Sequence, residues 1–224
     1  MKFIPILFST EMVQAILDGR KTMTRRILKP EPYLPFKKSK IDFVKGFGFC
    51  VRHQISKNPD RFECTSKIKC PYGQVGDILW VRETFNSDYS FKNSKGKPVA
   101  PGILYKATTE NLPSKSDKWK PSLFMPKEAC RIFLKINNIR VERLHDISEE
   151  DAISEGIEKY GPFGEFKGSK HPNGGSMRFR AYSKSTRAFQ DLWETINSEE
   201  SWKSNPWVWV IEFERIDKPE NFLS

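Results

Sequence analysis

The sequence predicts an α+β fold built mostly of strand. Two observations predict it. Short apolar or alternating runs recur between turns rich in Gly, Pro and Asp. Two or three segments carry helix start and stop signals. No internal repeat is visible.

The elements follow in order. Ile6, Leu7 and Phe8 suit a short strand. Ser9 and Thr10 then offer a hydroxyl to the free amides of a helix, and Glu11 suits its positive end. Met12, Val13, Ile16 and Leu17 make one apolar stripe, and Gly19 ends the helix. Arg20 to Arg26 reads as a strand leaving that turn. Three prolines between Pro30 and Pro35 close this stretch. From Lys37 to Lys69 the chain is basic and irregular, with one hairpin expected between GFGFCVRHQ and DRFECTSKI. Gly76 and Asp77 make a turn into a buried strand, Ile78 to Val81. Asn86 to Trp119 is polar and reads as a long loop region, with a strand at Ile103, Leu104 and Tyr105. Ile132 to Val141 is a long strand, bent at Asn137 and Asn138. Ser148 caps a helix with Glu149, Glu150 and Asp151 in its first turn, and Gly156 ends it. Glu158 to Tyr182, rich in glycine and basic residues, reads as a mobile loop. Ser185 to Ile196 is an amphipathic helix, and Trp207 to Ile216 the last strand.

Length and composition set limits. The 224 residues suffice for one substantial domain with insertions. Hydrophobic content is 38%, but six Trp and 17 Phe supply core area. No apolar run approaches the roughly 20 residues of a membrane helix, so no membrane partner is expected. The expected location is cytoplasmic, where cysteines are free or metal-bound rather than paired. The net charge of +10 attracts polyanions, nucleic acid first among them; plain solubility is the alternative.

The segment ILDGRKTMTRR resembles the signature of the ASCH family, small PUA-like nucleic-acid-binding domains. YGQVGDILWVRETF, RVERLHDISEEDAISEGI, and FQDLWETIN with WVWVIEF resemble the same family in order along the chain. The similarity is to its long phage and prophage form. It implies a PUA-like small mixed β-barrel with two or three flanking helices. On that reading residues 1–217 form a single domain, with insertions at about 37–70, 86–119 and 158–183, and residues 218–224 are a C-terminal tail.

The resemblance also implies site residues. Small members of one branch hydrolyse the acetyl amide of N4-acetylcytidine with a Lys, a Thr and a Glu. Lys21 and Thr24 match the first two, and Glu155 aligns with the third. A Thr hydroxyl can attack an amide carbonyl, a lysine of lowered pKa can take its proton, and a carboxylate can relay protons to the leaving amine. Strict strand alternation sets Lys21 and Thr24 on opposite faces, so a turn or bulge is needed for both to face one cavity. Met23, Arg25 and Arg26 make the segment more basic than in the small hydrolases.

For nucleic acid, the candidates are Arg20, Lys21, Thr22, Arg25 and Arg26 with Arg178, Arg180 and Tyr182; cations hold phosphates and an aromatic stacks on a base. Glu83 is expected to hold Lys21 or Arg25 in place. Cys50, His53, Cys64 and Cys70, spaced C-x2-H then C-x5-C, are candidate ligands of a structural zinc, or simply buried small residues. No cofactor is otherwise required. The first expectation is a domain that binds RNA or single-stranded DNA in a basic cleft around GRKTMTRR. The alternatives are an amidohydrolase of an N4-acylated cytosine nucleoside or base, and a phage accessory protein that binds a host protein.

Overall fold

The computed structural model describes residues 1–32, 40–44, 48–54, 62–92, 98–109, 118–161, 164–170 and 179–223. In chain order these form β1 (Phe3–Leu7), α1 (Thr10–Leu17), β2 (Met23–Ile27), β3 (Lys40–Val44), β4 (Gly48–Gln54), β5 (Phe62–Ile68), β6 (Ile78–Arg82), β7 (Phe85–Lys92) and β8 (Pro98–Tyr105). Then come β9 (Phe133–Arg143), α2 (Glu149–Ser154), β10 (Lys159–Tyr160), β11 (Glu165–Lys170), β12 (Phe179–Tyr182), α3 (Ser185–Asn197), α4 (Glu199–Lys203) and β13 (Trp207–Ile216). The fold is α+β and strand-rich, as the sequence predicts. The largest sheet has the open order β1-β6-β9-β13-β2, and no closed barrel is found among the described residues. None of the described helices is long and apolar enough to cross a membrane.

The chain divides into two compact units. The first comprises Met1–Gly19, Val75–Ile136 and Phe213–Ser224. Here β1 runs parallel to β6, with Phe3 opposite Ile78 and Leu7 opposite Arg82. α1 starts as expected: Ser9 Oγ accepts the Met12 N–H, and Val13, Ala15 and Ile16 are buried. Gly19 follows at φ 74°, a conformation that a Cβ would penalise. The unit's core gathers Ile78, Trp80, Phe85, Met125, Phe133 and Phe222. Phe222, in the segment read as a tail, is 1% exposed and meets Phe3, Trp80 and Phe133 edge to face. Asn86 to Trp119 holds more order than the sequence suggests, because β7 and β8 form an antiparallel hairpin.

The second unit comprises Arg20–Gln74 and Asn137–Glu212. β13 pairs antiparallel with β2, setting Glu212 opposite Met23 and Val208 opposite Ile27. Met23, Val208 and Val210 join Leu144, Ala152, Phe189 and Trp193 in its core. The expected hairpin is present as β4 and β5, with β3 added on the other side of β4. The stretch read as a mobile loop contains a three-stranded sheet, β10-β11-β12. Pairing rather than apolar content orders it: Asp191 of α3 accepts the Ser169 N–H at 2.5 Å and Arg180 Nη1 at 2.6 Å.

Candidate functional site

Two segments far apart in sequence meet in the second unit. Thr22 N–H donates to the Ser154 carbonyl at 2.9 Å, and Arg20 Nη1 to the Gly156 carbonyl at 3.0 Å. Between them Lys21 and Glu155 form an isolated antiparallel bridge.

The local sequence explains why Glu155 stands there. Ser148 Oγ accepts the Asp151 N–H and starts α2, with three carboxylates in the first turn. The helix ends in a Schellman pattern, in which Gly156 N–H donates to Ile153 and Ile157 N–H to Ala152. Gly156 sits at φ 99°, which glycine adopts without cost. Glu155 is therefore the C-cap, with a carbonyl that the helix itself leaves open.

Lys21 fills that position twice over. Its Nζ donates to the Glu155 carbonyl at 2.8 Å and to Oε2 at 2.6 Å. A cation at the negative end of a helix is favourable, so the arrangement also has a structural use. Lys21 is 2% exposed and Glu155 6%. Burial pushes the lysine pKa below its ordinary 10.5; the Glu155 charge and hydrogen bond pull it back up, and Arg26 and Arg25 push it down. The ammonium is thus more acidic than in water, as a proton-transferring group near neutrality requires.

Arg25 lies among carboxylates. Its Nη2 donates to Glu142 Oε1 at 2.6 Å and to Asp151 Oδ2 at 2.5 Å, and Nε reaches Glu142 at 3.2 Å. Nη1 donates to Met23 Sδ at 3.3 Å and stands 3.5 Å from Glu155 Oε1, an oxygen with no hydrogen bond among the described residues. Arg140 completes the cluster on Glu142, Asp151 and Glu212. Burial lowers the Arg26 pKa, against the charges of Tyr72 and Glu155.

No protein-family model, curated protein or solved structure matches the chain.

Of the expected hydrolytic set, Lys21 and Glu155 come together. Thr24 is buried in β2, and alternation sets it with Arg26, across the strand from Met23 and Arg25. The expected nucleic-acid surface is different in kind. Lys21 and Arg25 are buried, Arg20 is held by Gly156, and Arg180 by Asp191. Thr22 is exposed, Tyr182 half-buried, and Arg178 lies outside the described residues. Glu83 does not hold Lys21 or Arg25 in the described hydrogen bonds. It is 1% exposed and takes a two-pronged bond from Arg131 Nε and Nη2, at 2.8 and 2.9 Å. A fork matches a carboxylate better than a point charge does, and the Arg131 guanidinium also stacks 3.9 Å over Tyr105.

One pair of cysteines differs from the expectation of unpaired thiols. Cys50 and Cys64, on neighbouring strands with Cα atoms 5.7 Å apart, are joined as a disulfide. Cys70 and Cys130 are buried free thiols. The His53 side chain lies outside those described, and among the described residues no three metal-binding side chains gather. Sequence reading missed Glu142 and Asp151 as partners of Arg25, and Arg140 as a second cation on the same two carboxylates. The available signal was spacing: Asp151 and Glu155 stand one helical turn apart, and Arg140 and Glu142 share a strand face.

Proposed function

We propose that this chain is an ASCH-type amidohydrolase acting on an N4-acylated cytosine nucleoside or base, such as N4-acetylcytidine. The observation that carries the reading is the buried Lys21–Glu155 contact at 2.6 Å, made by residues 134 positions apart. These are the two residues that the family resemblance assigns to proton transfer. Burial favours the neutral amine of Lys21, and a neutral amine can accept a proton.

In the reaction a water oxygen adds to the acyl carbonyl carbon, since Thr24 lies across β2 from Arg25. The water's proton passes to Lys21. The tetrahedral intermediate collapses, the C–N bond breaks, and the proton returns through the Lys21–Glu155 pair to the leaving amine. With water as the net reactant, the products are the free amine and a carboxylic acid. The relation to PUA-like folds belongs to the same proposal, supported by this pair and by a helix directly after the first strand.

A second reading, binding of RNA or single-stranded DNA, is favoured by the net charge of +10. It draws on surface cations other than Lys21 and Arg25. The deciding experiment is hydrolysis of N4-acetylcytidine followed by chromatography, with Lys21→Ala and Glu155→Gln beside the wild type. Cytidine released by the wild type and lost in both variants supports the enzyme reading. A folded wild-type protein that releases none rejects this substrate.

A further inference from the structure

We propose that Arg25 is the positioning residue of the Lys21–Glu155 pair, holding the Glu155 carboxylate in the orientation that presents Oε2 to Lys21. The activity part of this inference rests on the hydrolase reading; the geometric part does not.

The carboxylate of Glu155 has two oxygens in different surroundings. Oε2 accepts from Lys21, while Oε1 has no hydrogen bond among the described residues and faces Arg25 Nη1 at 3.5 Å. That distance is too long for a hydrogen bond but short for charge attraction in a buried place. The guanidinium thus fixes which oxygen faces the lysine without competing for a lone pair. Its own place is fixed from three sides: Glu142 on β9, Asp151 on α2, and Met23 on its own strand. Asp151 lies one helical turn before Glu155, so Arg25 grips α2 at two successive turns of one face. Arg140 holds the same Glu142 and Asp151 from the other side.

A lysine in place of Arg25 has one nitrogen and cannot span these groups; the forked, planar head is what the site uses. Arg25 is also one of the residues that separates this segment from that of the small hydrolases. The charged groups facing Lys21 are Glu155 at the end of α2 and Arg25 and Arg26 of β2, with Tyr72 beside Arg26. Changing Arg25 therefore alters both the field at Lys21 and the carboxylate's freedom. Protection of the amine reads the second directly.

The test uses the whole chain, in three forms: wild type, Arg25→Lys and Arg25→Met. Each is exposed to an amine-acylating reagent and to a thiol alkylator under native conditions, and labelling is read by mass spectrometry. Lys21 is buried in the wild type and should label slowly. In the variants, Lys21 acylation should rise by about tenfold or more, the effect of roughly 1.4 kcal/mol of local opening. Cys70 in the same unit and Cys130 in the other should stay protected. Lys21 as slow as in the wild type overturns the proposal. So does Lys21 opening together with Cys70 in both variants, because Arg25 then only holds the unit together.

Kinetics supply the second arm. With N4-acetylcytidine, kcat should fall by about a hundredfold with KM little changed, as for a misplaced catalytic group. An unchanged kcat overturns the positioning role. If the wild type turns over no N4-acetylcytidine, the hydrolase reading fails, and the labelling alone decides Arg25.

Discussion

Replacing Glu155 with Gln separates a buried ion pair from an incidental surface contact. The substitution keeps the shape, the backbone carbonyl acceptor at 2.8 Å and a neutral side-chain oxygen, and removes one negative charge. Lys21, 2% exposed, then has two ways to respond. It can stay charged without its counterion, which costs about 3–5 kcal/mol for a buried pair broken on one side. Or it can lose its proton. At pH 7, with an ordinary value of 10.5, deprotonation costs about 4.8 kcal/mol at 1.36 kcal/mol per pH unit. The two routes give similar ceilings, so the expected loss is about 3–5 kcal/mol at pH 7.

The pH dependence tells the routes apart. Where the folded variant holds Lys21 neutral and the unfolded chain holds it charged, the unfolded state binds one more proton. Stability then rises with pH by about 1.4 kcal/mol per unit until 10.5. The wild type shares the sign over a narrower window, because its Lys21 pKa is also lowered, by burial first. Urea unfolding from pH 6 to 9 measures both slopes, with Lys21→Met/Glu155→Gln as a reference from which this proton is absent. A Glu155→Gln loss under about 1 kcal/mol, flat with pH, would show a solvated lysine and refute the argument.

Other outcomes follow from the same structure. Asp191 is pushed up by burial, but the Ser169 and Arg180 contacts outweigh this and leave its pKa below 3.8. Its stabilisation is present above 3.8 and lost as pH falls through the lowered value, so Asp191→Asn should weaken the fold at neutral pH and flatten its acid unfolding curve. Phe222→Ala should cost about 3–5 kcal/mol by urea unfolding, as for other buried Phe residues, and a loss below 1 kcal/mol would remove the ring from the core. Under non-reducing conditions a denatured sample should titrate two thiols, Cys70 and Cys130; four would show Cys50 and Cys64 unpaired. In the native protein both free thiols should alkylate slowly at pH 8, because burial pushes each up to about 11.

What the sequence reveals depends on where each element's stability comes from. α1 and α2 are legible because their caps are local: Ser9 and Ser148 bond amides three residues on, and Gly19 and Gly156 take positive φ. β13 is legible because nearly every residue from Trp207 to Phe213 is apolar. In the β7–β8 hairpin the apolar Ile103–Tyr105 end of β8 is legible, but β7 and the β10–β12 sheet are not, since polar strands held by partners look like loops. At the site, Lys21 and Glu155 were paired only through the family resemblance, since no period links residues so far apart. The bond of Glu83 to Arg131 is hidden for a related reason. Arg131 is 48 residues away, and several other cations looked equally suitable.

The four cations of Arg20 to Arg26 show how counting charges within one segment misleads. Alone they look like a phosphate-binding face. In the folded unit, Glu155 answers Lys21, and Glu142 and Asp151 answer Arg25, from segments more than 100 residues away. A buried cation already bonded to a carboxylate releases no counterion when a polyanion arrives, so it adds nothing to the salt dependence of binding. Any affinity that the net charge of +10 produces must come from other cations. Titration with a single-stranded oligonucleotide over a range of salt checks this. Arg25→Met should leave the slope of log affinity against log salt unchanged. A slope that falls by about one would return Arg25 to the phosphates and undo the reading of a buried cluster.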